Sequence, residues 1–251
     1  MARARSPDET RVPSPDTADD RRPRSRTSPR KTDPGRRKVE AREALLSKAL
    51  EEVPRHLFFP VGIDREIANH EPIPLGRGRV IPPVDVVAMM LRALELDGTE
   101  RVLEIGGGSG YQAALLGRLA RDVVSIDVDG ELVKQEGSLF DGLGCPNVRL
   151  VHADAYAGWP EAGPYQAIVV SAAVPEVPSS LIDQLDFAGR LVIPLGDAEA
   201  QLVERLRKRV DGLDSQTIGP CRLHMLTTPR KTPASFPWTG QHGKQSEKNS
   251  A

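Results

Sequence analysis

The run Val102–Ala114, VLEIGGGSGYQAA, narrows the folds open to this 251-residue chain more than any other stretch. A buried-strand pattern over Arg101–Ile105 passes into Gly106, Gly108 and Gly110, and a helical pattern over Tyr111–Leu119 follows at once. Glycines let a backbone turn sharply and lie close to a ligand. The helix that follows offers unpaired N–H groups at its positive end. The alternation continues downstream. The strand-like runs VVSI (Val123–Ile126), VRLVH (Val148–His152), AIVV (Ala167–Val170) and RLVI (Arg190–Ile193) are spaced by helical patterns over Glu131–Leu143 and Ser179–Gln184. Strands separated by helices predict right-handed crossovers, hence an α/β fold with a doubly wound, mostly parallel sheet. Gln201–Arg207 and Cys221–Leu226 are strand-like with no helix between them, and Asp211-Gly212 is a turn signal, so an antiparallel edge pair is expected there. Upstream, Lys38–Val53 and Val84–Leu96 read as helices, and Pro54–Leu75 as a Pro-punctuated loop.

The spacing within the glycine loop bears on the ligand. A dinucleotide fingerprint, G-x-G-x-x-G counted from Gly106, would need glycine where Tyr111 stands. The string Glu104-Ile-Gly106-Gly-Gly108-Ser-Gly110 instead resembles the first motif of class I (Rossmann-like) methyltransferases. That resemblance implies S-adenosyl-L-methionine as cofactor, bound through Glu104, Gly106, Gly108 and Gly110. The cofactor has no pyrophosphate, so the loop would accommodate its methionine and ribose portions. Asp127 ends the next strand. Ligands of open α/β sheets lie at the carboxyl ends of the strands, and an acid there can accept from both ribose hydroxyls. Asp154 follows the third strand, where this class commonly accepts a hydrogen bond from the adenine amino group. Glu104 has two readings: a residue that orients the loop, or a strand-end acid satisfied within the fold.

With these motifs placed, the chain is similar to the protein-L-isoaspartate (D-aspartate) O-methyltransferase family over about Val53–Leu226. The matching strings are VPRHLFFP (Val53–Pro60), EPIPLGRG (Glu71–Gly78), VLEIGGGSGYQAALL (Val102–Leu116), GWPEAGPYQAIVVSAAVPEVP (Gly158–Pro178) and LVIPLG (Leu191–Gly196). The resemblance implies methylation of the free α-carboxylate of L-isoaspartyl and D-aspartyl residues in damaged proteins and peptides, the partners expected here. A carboxylate with a pKa near 4 is already ionised at neutral pH, so no general base is required. Catalysis would come mainly from alignment of oxygen, methyl carbon and sulfur. Ser171, in VVSAA, would be a donor on the substrate side, with a hydroxyl bonded to its own backbone as the plainer reading. No metal site is expected.

One departure stands out. Where the family reads Gln-Thr-Ile-Ser, this chain has Arg79, Val80, Ile81 and Pro82. Pro82 occupies the position of the family's active-site serine, so the catalytic residue is left unassigned. Loss of a neutral hydrogen bond costs about 0.5–1.5 kcal/mol, or ~1–3 if a buried partner is left unsatisfied. That slows a reaction roughly tenfold to a hundredfold. Arg79 offers a compensation, since a guanidinium can grip a carboxylate with two parallel bonds; a solvent-facing loop cation is the competing reading. Because of Pro82 two alternatives stay open: a carboxyl methyltransferase of another peptide or small acid, and a non-catalytic S-adenosylmethionine-binding adaptor.

The ends differ from the middle. Residues 1–37 carry many Arg, Pro, Ser, Asp and Thr and almost no large apolar side chains, which predicts a disordered polar arm. Residues 38–228 form the expected methyltransferase domain, and residues 229–251 a loose tail that contains Phe236 and Trp238. The formal net charge of -1 argues against a nucleic-acid partner. No apolar run approaches bilayer length, and no hydrophobic segment follows Arg21-Arg22. Two cysteines, Cys145 and Cys221, make no disulfide framework. A monomeric cytoplasmic protein is the expectation.

Overall fold

The protein is described by a computed structural model that covers residues 33–59, 62–63, 70–76 and 79–227. The expected arm up to residue 32 and the tail from residue 228, with Phe236 and Trp238, lie outside the described residues.

Chain order within Pro34–Thr227 is helix α1 (Pro34–Glu52), a short hairpin of β1 (Ile73–Gly76) and β2 (Arg79–Ile81), α2 (Val84–Ala93), β3 (Arg101–Ile105), α3 (Tyr111–Leu119), β4 (Asp122–Asp127), α4 (Gly130–Leu143), β5 (Val148–His152), β6 (Tyr165–Val170), α5 (Ser179–Asp183), β7 (Leu185–Gly196), β8 (Gln201–Arg209) and β9 (Gly212–Cys221). Seven strands form one sheet in the order β5-β4-β3-β6-β7-β8-β9. The five from β5 to β7 run parallel, and β8 and β9 close the edge antiparallel. The order reverses between β3 and β6, which opens a crevice beyond the carboxyl ends of those strands.

Alternation along the central strands builds two apolar layers. Val102, Val123, Ala167, Val169 and Val192 face one layer with Met90 and Leu91 of α2 and Leu115 and Leu116 of α3. Leu103, Ile105, Val124, Ile126, Ile168, Val170, Leu191 and Ile193 face the other with Tyr165 and Leu181. A parallel strand buried on both faces reads as a continuous apolar run, which is why these segments were legible.

Several boundaries differ from expectation. Helix α1 starts at Pro34, one turn before Lys38, and proline suits a first helical turn. The edge pair forms around Asp211-Gly212 as expected, but its second strand is Gly212–Cys221, not Cys221–Leu226. Most of β9 is exposed and polar, so it carries no apolar signal. The later segment forms no strand of the sheet; it is held by an isolated bridge of Met225 to Ala173 and by the Gln201 side chain of β8 on Leu223. Pro54–Leu75 contains a 3-10 turn at Arg55–Phe58 and the start of β1.

Candidate active site

The glycine loop is closed by hydrogen bonds from strand β4. Ile126 O accepts from Gly106 N at 2.8 Å, and Gly110 N bonds back to Gly107 O at 3.0 Å. Gly106, Gly108 and Gly110 all have positive φ, 82°, 63° and 81°, a region that side chains with a Cβ rarely adopt. Space for a Cβ is open at Gly106 and Gly108, with no contact nearer than 3.8 Å. The backbone conformation, then, selects glycine there, and the loop surface is bare enough for a ligand to lie against it.

Asp127 ends β4, is 5% exposed and ties the loop to the turn that leads into α4, one carboxylate oxygen to each. Oδ2 accepts from Gly108 N at 3.0 Å and Oδ1 from Asp129 N at 2.8 Å. Burial pushes its pKa above the usual carboxylate range; the two backbone N–H groups and Arg79 oppose that shift in part. Asp129 caps α4 by accepting from Glu131 N at 3.1 Å. Asp127 lies opposite His152 across the β4–β5 ladder, so Asp154 sits on the neighbouring strand tip two residues further on. It is exposed, and its Oδ1 accepts from Tyr156 N at 3.0 Å.

Glu104 sits in mid-sheet with no exposed surface. Its Oε2 accepts from Ser125 Oγ at 2.6 Å, while Oε1 is buried without a partner among the described residues. Burial pushes its pKa up to about 7, with Asp127 adding to the rise and Ser125 opposing it. Both earlier readings of Glu104 stay in play. The second is only half satisfied, because one oxygen has no donor.

Arg79 is neither a solvent-facing cation nor an unengaged anchor. Its side chain is 12% exposed and lies across both acids, with Nη2 3.0 Å from Asp129 Oδ2 and Nη1 3.7 Å from Asp127 Oδ1. The β1–β2 hairpin turns Arg79 inward, with Gly76 paired to it across the turn. Its Nε is buried without a partner among the described residues. One guanidinium against two carboxylates leaves the crevice floor anionic if both are ionised, which favours a cationic ligand group.

Ser171 follows β6 and its N–H is held by Ile105 O at 2.8 Å. Its hydroxyl does not turn back on its own backbone; Oγ accepts from Gln112 Nε2 at 2.8 Å. Pro82 borders the same cavity, and its carbonyl accepts from Arg55 Nη2 at 2.7 Å. Arg55 lies 5.2 Å from the centre of the Tyr111 ring, which packs edge-on against Phe58. The cavity enclosed by Leu75, Arg79, Pro82, Tyr111, Ser171 and His224 measures about 30 Å³, room for roughly two waters. Arg55, Gln112 and His224 join the site without being singled out by the sequence. The arginine of VPRHLF was a usable signal; the other two carry none.

A glycine loop after the first central strand, an acid closing the second and a cavity beside them define a class I S-adenosylmethionine-dependent methyltransferase. The chain belongs to the protein-L-isoaspartate(D-aspartate) O-methyltransferase family, whose model matches residues 36–227. It is 43% identical over 189 residues to protein-L-isoaspartate O-methyltransferase 1 of Anaeromyxobacter sp. (strain Fw109-5), covering 74% of this chain and 89% of that one. It is 46% identical over 149 residues to protein-L-isoaspartate O-methyltransferase 2 of Shewanella sediminis (strain HAW-EB3), covering 59% and 61%. A solved protein-L-isoaspartate O-methyltransferase superposes with a TM-score of 0.67 at 25% identity, covering 77% of this chain and 66% of that chain, just under two thirds of its length. A Plasmodium falciparum structure, titled a putative member in complex with S-adenosyl-L-homocysteine, superposes at 0.62 with 19% identity, covering 75% of this chain and 97% of that one, and shows the shared fold. S-adenosylmethionine is the cofactor of the family. The bare loop and the buried strand-end acid fit its nucleoside. Among the described residues no helix is long and apolar enough to cross a membrane.

Proposed function

We propose that the protein transfers a methyl group from S-adenosyl-L-methionine to the free α-carboxylate of L-isoaspartyl and D-aspartyl residues in damaged proteins and peptides, the step that begins their repair. The observation that carries the reading is the junction of two features: the glycine loop with Asp127, and a small, largely apolar cavity into whose lining Arg79, Ser171 and His224 bring polar groups.

When bound, the cofactor supplies a methyl carbon made electrophilic by sulfonium sulfur. The protein's part is positional. Gly106, Gly108 and Gly110 offer backbone to the ligand, Asp127 accepts from the ribose hydroxyls and Asp154 from the adenine amino group, while Glu104 stiffens the loop from beneath. Ser171 is held as an acceptor by Gln112, so its O–H points its donor capacity elsewhere, toward a substrate oxygen. Arg79 gives the substrate carboxylate a nearby positive charge and a buried Nε–H while Asp127 and Asp129 hold its other nitrogens. No proton has to move: a carboxylate oxygen takes the methyl, and the C–S bond electrons stay on sulfur. We further propose that the protein works as a monomer in the cytoplasm and without nucleic acid.

The test is transfer of labelled methyl from S-adenosylmethionine to an isoaspartyl peptide and to its normal aspartyl twin. Transfer to the first alone supports the reading. Transfer to neither, with cofactor binding intact, would rule it out in favour of a non-catalytic adaptor or a different carboxylate substrate.

A further inference from the structure

We infer that His224 is a substrate-binding residue, whose imidazole donates a hydrogen bond to the carboxylate that receives the methyl group; this rests on the isoaspartyl reading above. His224 lines the same cavity as Arg79, Pro82 and Ser171. Its Nδ1 is buried and has no hydrogen-bond partner among the described residues, as is also true of Arg79 Nε. A buried polar nitrogen left unpaired is unfavourable, and native interiors rarely tolerate one without reason. The residues that carry both atoms line a single small cavity. What satisfies both is a compact group rich in acceptor lone pairs and without donors of its own. An ionised carboxylate has about four such sites on two oxygens.

The backbone that carries His224 is fixed in place. Its carbonyl accepts from Ala173 N at 2.8 Å, and Leu226 N donates to Ala173 O at 2.8 Å. The preceding residue is clamped by the buried side chain of Gln201: Oε1 accepts from Leu223 N at 2.7 Å and Nε2 donates to Leu223 O at 2.9 Å. The imidazole therefore needs little reorganisation to meet a ligand, and pre-ordered donors are the ones that add affinity. Its charge state also suits the chemistry. Burial, aided by the Arg79 charge, pushes the His224 pKa down to about 4, so the ring is neutral at physiological pH and has one N–H. In the tautomer protonated at Nδ1 it orients an anionic nucleophile without the full quenching that a second cation beside Arg79 would bring.

Two variants separate the idea from a packing role, with the full chain loaded with S-adenosylhomocysteine. His224→Phe keeps a ring in the wall but removes both nitrogens; His224→Gln keeps an N–H donor. Calorimetry should show isoaspartyl-peptide binding weakened about tenfold in His224→Phe and within about threefold of wild type in His224→Gln. S-adenosylhomocysteine affinity should be unchanged in both, and the peptide KM should rise in parallel with the Kd. Peptide binding by His224→Phe equal to wild type, or equal losses in both variants, would overturn the assignment while leaving the isoaspartyl reading intact. A wild-type protein that neither binds nor methylates the peptide would overturn both together.

Discussion

Arg55 donates from Nη2 to the carbonyl oxygen of Pro82 at 2.7 Å, and so fastens the 3-10 turn after α1 to a wall of the cavity. Arg55 is 6% exposed, and its Nε and Nη1 have no hydrogen-bond partner among the described residues, although the guanidinium lies over the Tyr111 ring. Burial holds its pKa below the usual arginine value. We predict that Arg55→Met, which keeps the packing stem and removes the charge, costs about 1–3 kcal/mol of folding free energy through the unpaired Pro82 carbonyl. Turnover should fall roughly tenfold. Denaturant unfolding and steady-state kinetics check both; a variant as stable and as active as wild type would mean the contact holds nothing in place.

Pro82→Ser returns a hydroxyl to the cavity. The hypothesis that this wall borders the reacting carboxylate predicts a rise in kcat/KM on an isoaspartyl peptide of about tenfold, the worth of one neutral hydrogen bond. A fall or no change would indicate that Ser171 and His224 already saturate the carboxylate.

Arg79→Ala has two expected consequences. It leaves Asp127 and Asp129, both buried, without their shared cation, and removal of one partner of a buried pair typically costs about 3–5 kcal/mol. It also raises the peptide KM if Arg79 attracts the substrate. The double variant Arg79→Ala with Asp129→Asn relieves part of the charge penalty, so it isolates the KM effect. A KM equal to wild type in that double variant would dismiss Arg79 as a substrate anchor.

Asp127→Asn removes a charged acceptor from the proposed ribose site. Hydrogen bonds to charged groups contribute about 1.5–3 kcal/mol, so S-adenosylhomocysteine should bind ten- to a hundredfold more weakly by calorimetry. Undiminished affinity would place the ribose elsewhere.

Glu104 sets a pH dependence of stability. Burial raises its folded pKa from the ordinary glutamate value of about 4.5 to about 7. The native state thus keeps a proton that the unfolded chain has already lost. Its contribution is whole below about pH 4.5 and is lost as pH rises through about 7, on the order of 3 kcal/mol in all. Glu104→Gln mimics the protonated form, so its stability advantage over wild type should grow between pH 4.5 and 7 and then level off. Parallel unfolding curves for the two proteins across that window would contradict the assignment.

The sheet and the cofactor end of the site were legible because local pattern determines them. Apolar runs such as Val102–Ile105 and Ala167–Val170 can only be strands buried on both faces, and Gly106 to Gly110 and Asp127 sit at fixed offsets from those runs. What stayed hidden depends on long-range contact. Nothing near residue 224 signals that its ring borders the same cavity as Ser171, because that proximity arises from backbone bonds to Ala173 and a side-chain clamp from Gln201. The sequence offers Arg79 as a carboxylate anchor or a loop cation, and a three-residue strand between glycines and prolines leaves no periodicity that would reveal its contacts with Asp127 and Asp129. The exposed, polar β9 likewise offered no pattern, so the strand was placed too late in the sequence.

Asp127 welds two properties together, since the carboxylate proposed to receive the ribose also pins the glycine loop through Oδ2 and the turn into α4 through Oδ1. Engineering this scaffold toward donors with an altered sugar would therefore erode the scaffold as it changes the preference. The neighbouring tip is built differently: Asp154 is exposed and bonds only within its own turn. Under the proposed assignment, tolerance for base-modified donor analogues can be evolved there without loosening anything else.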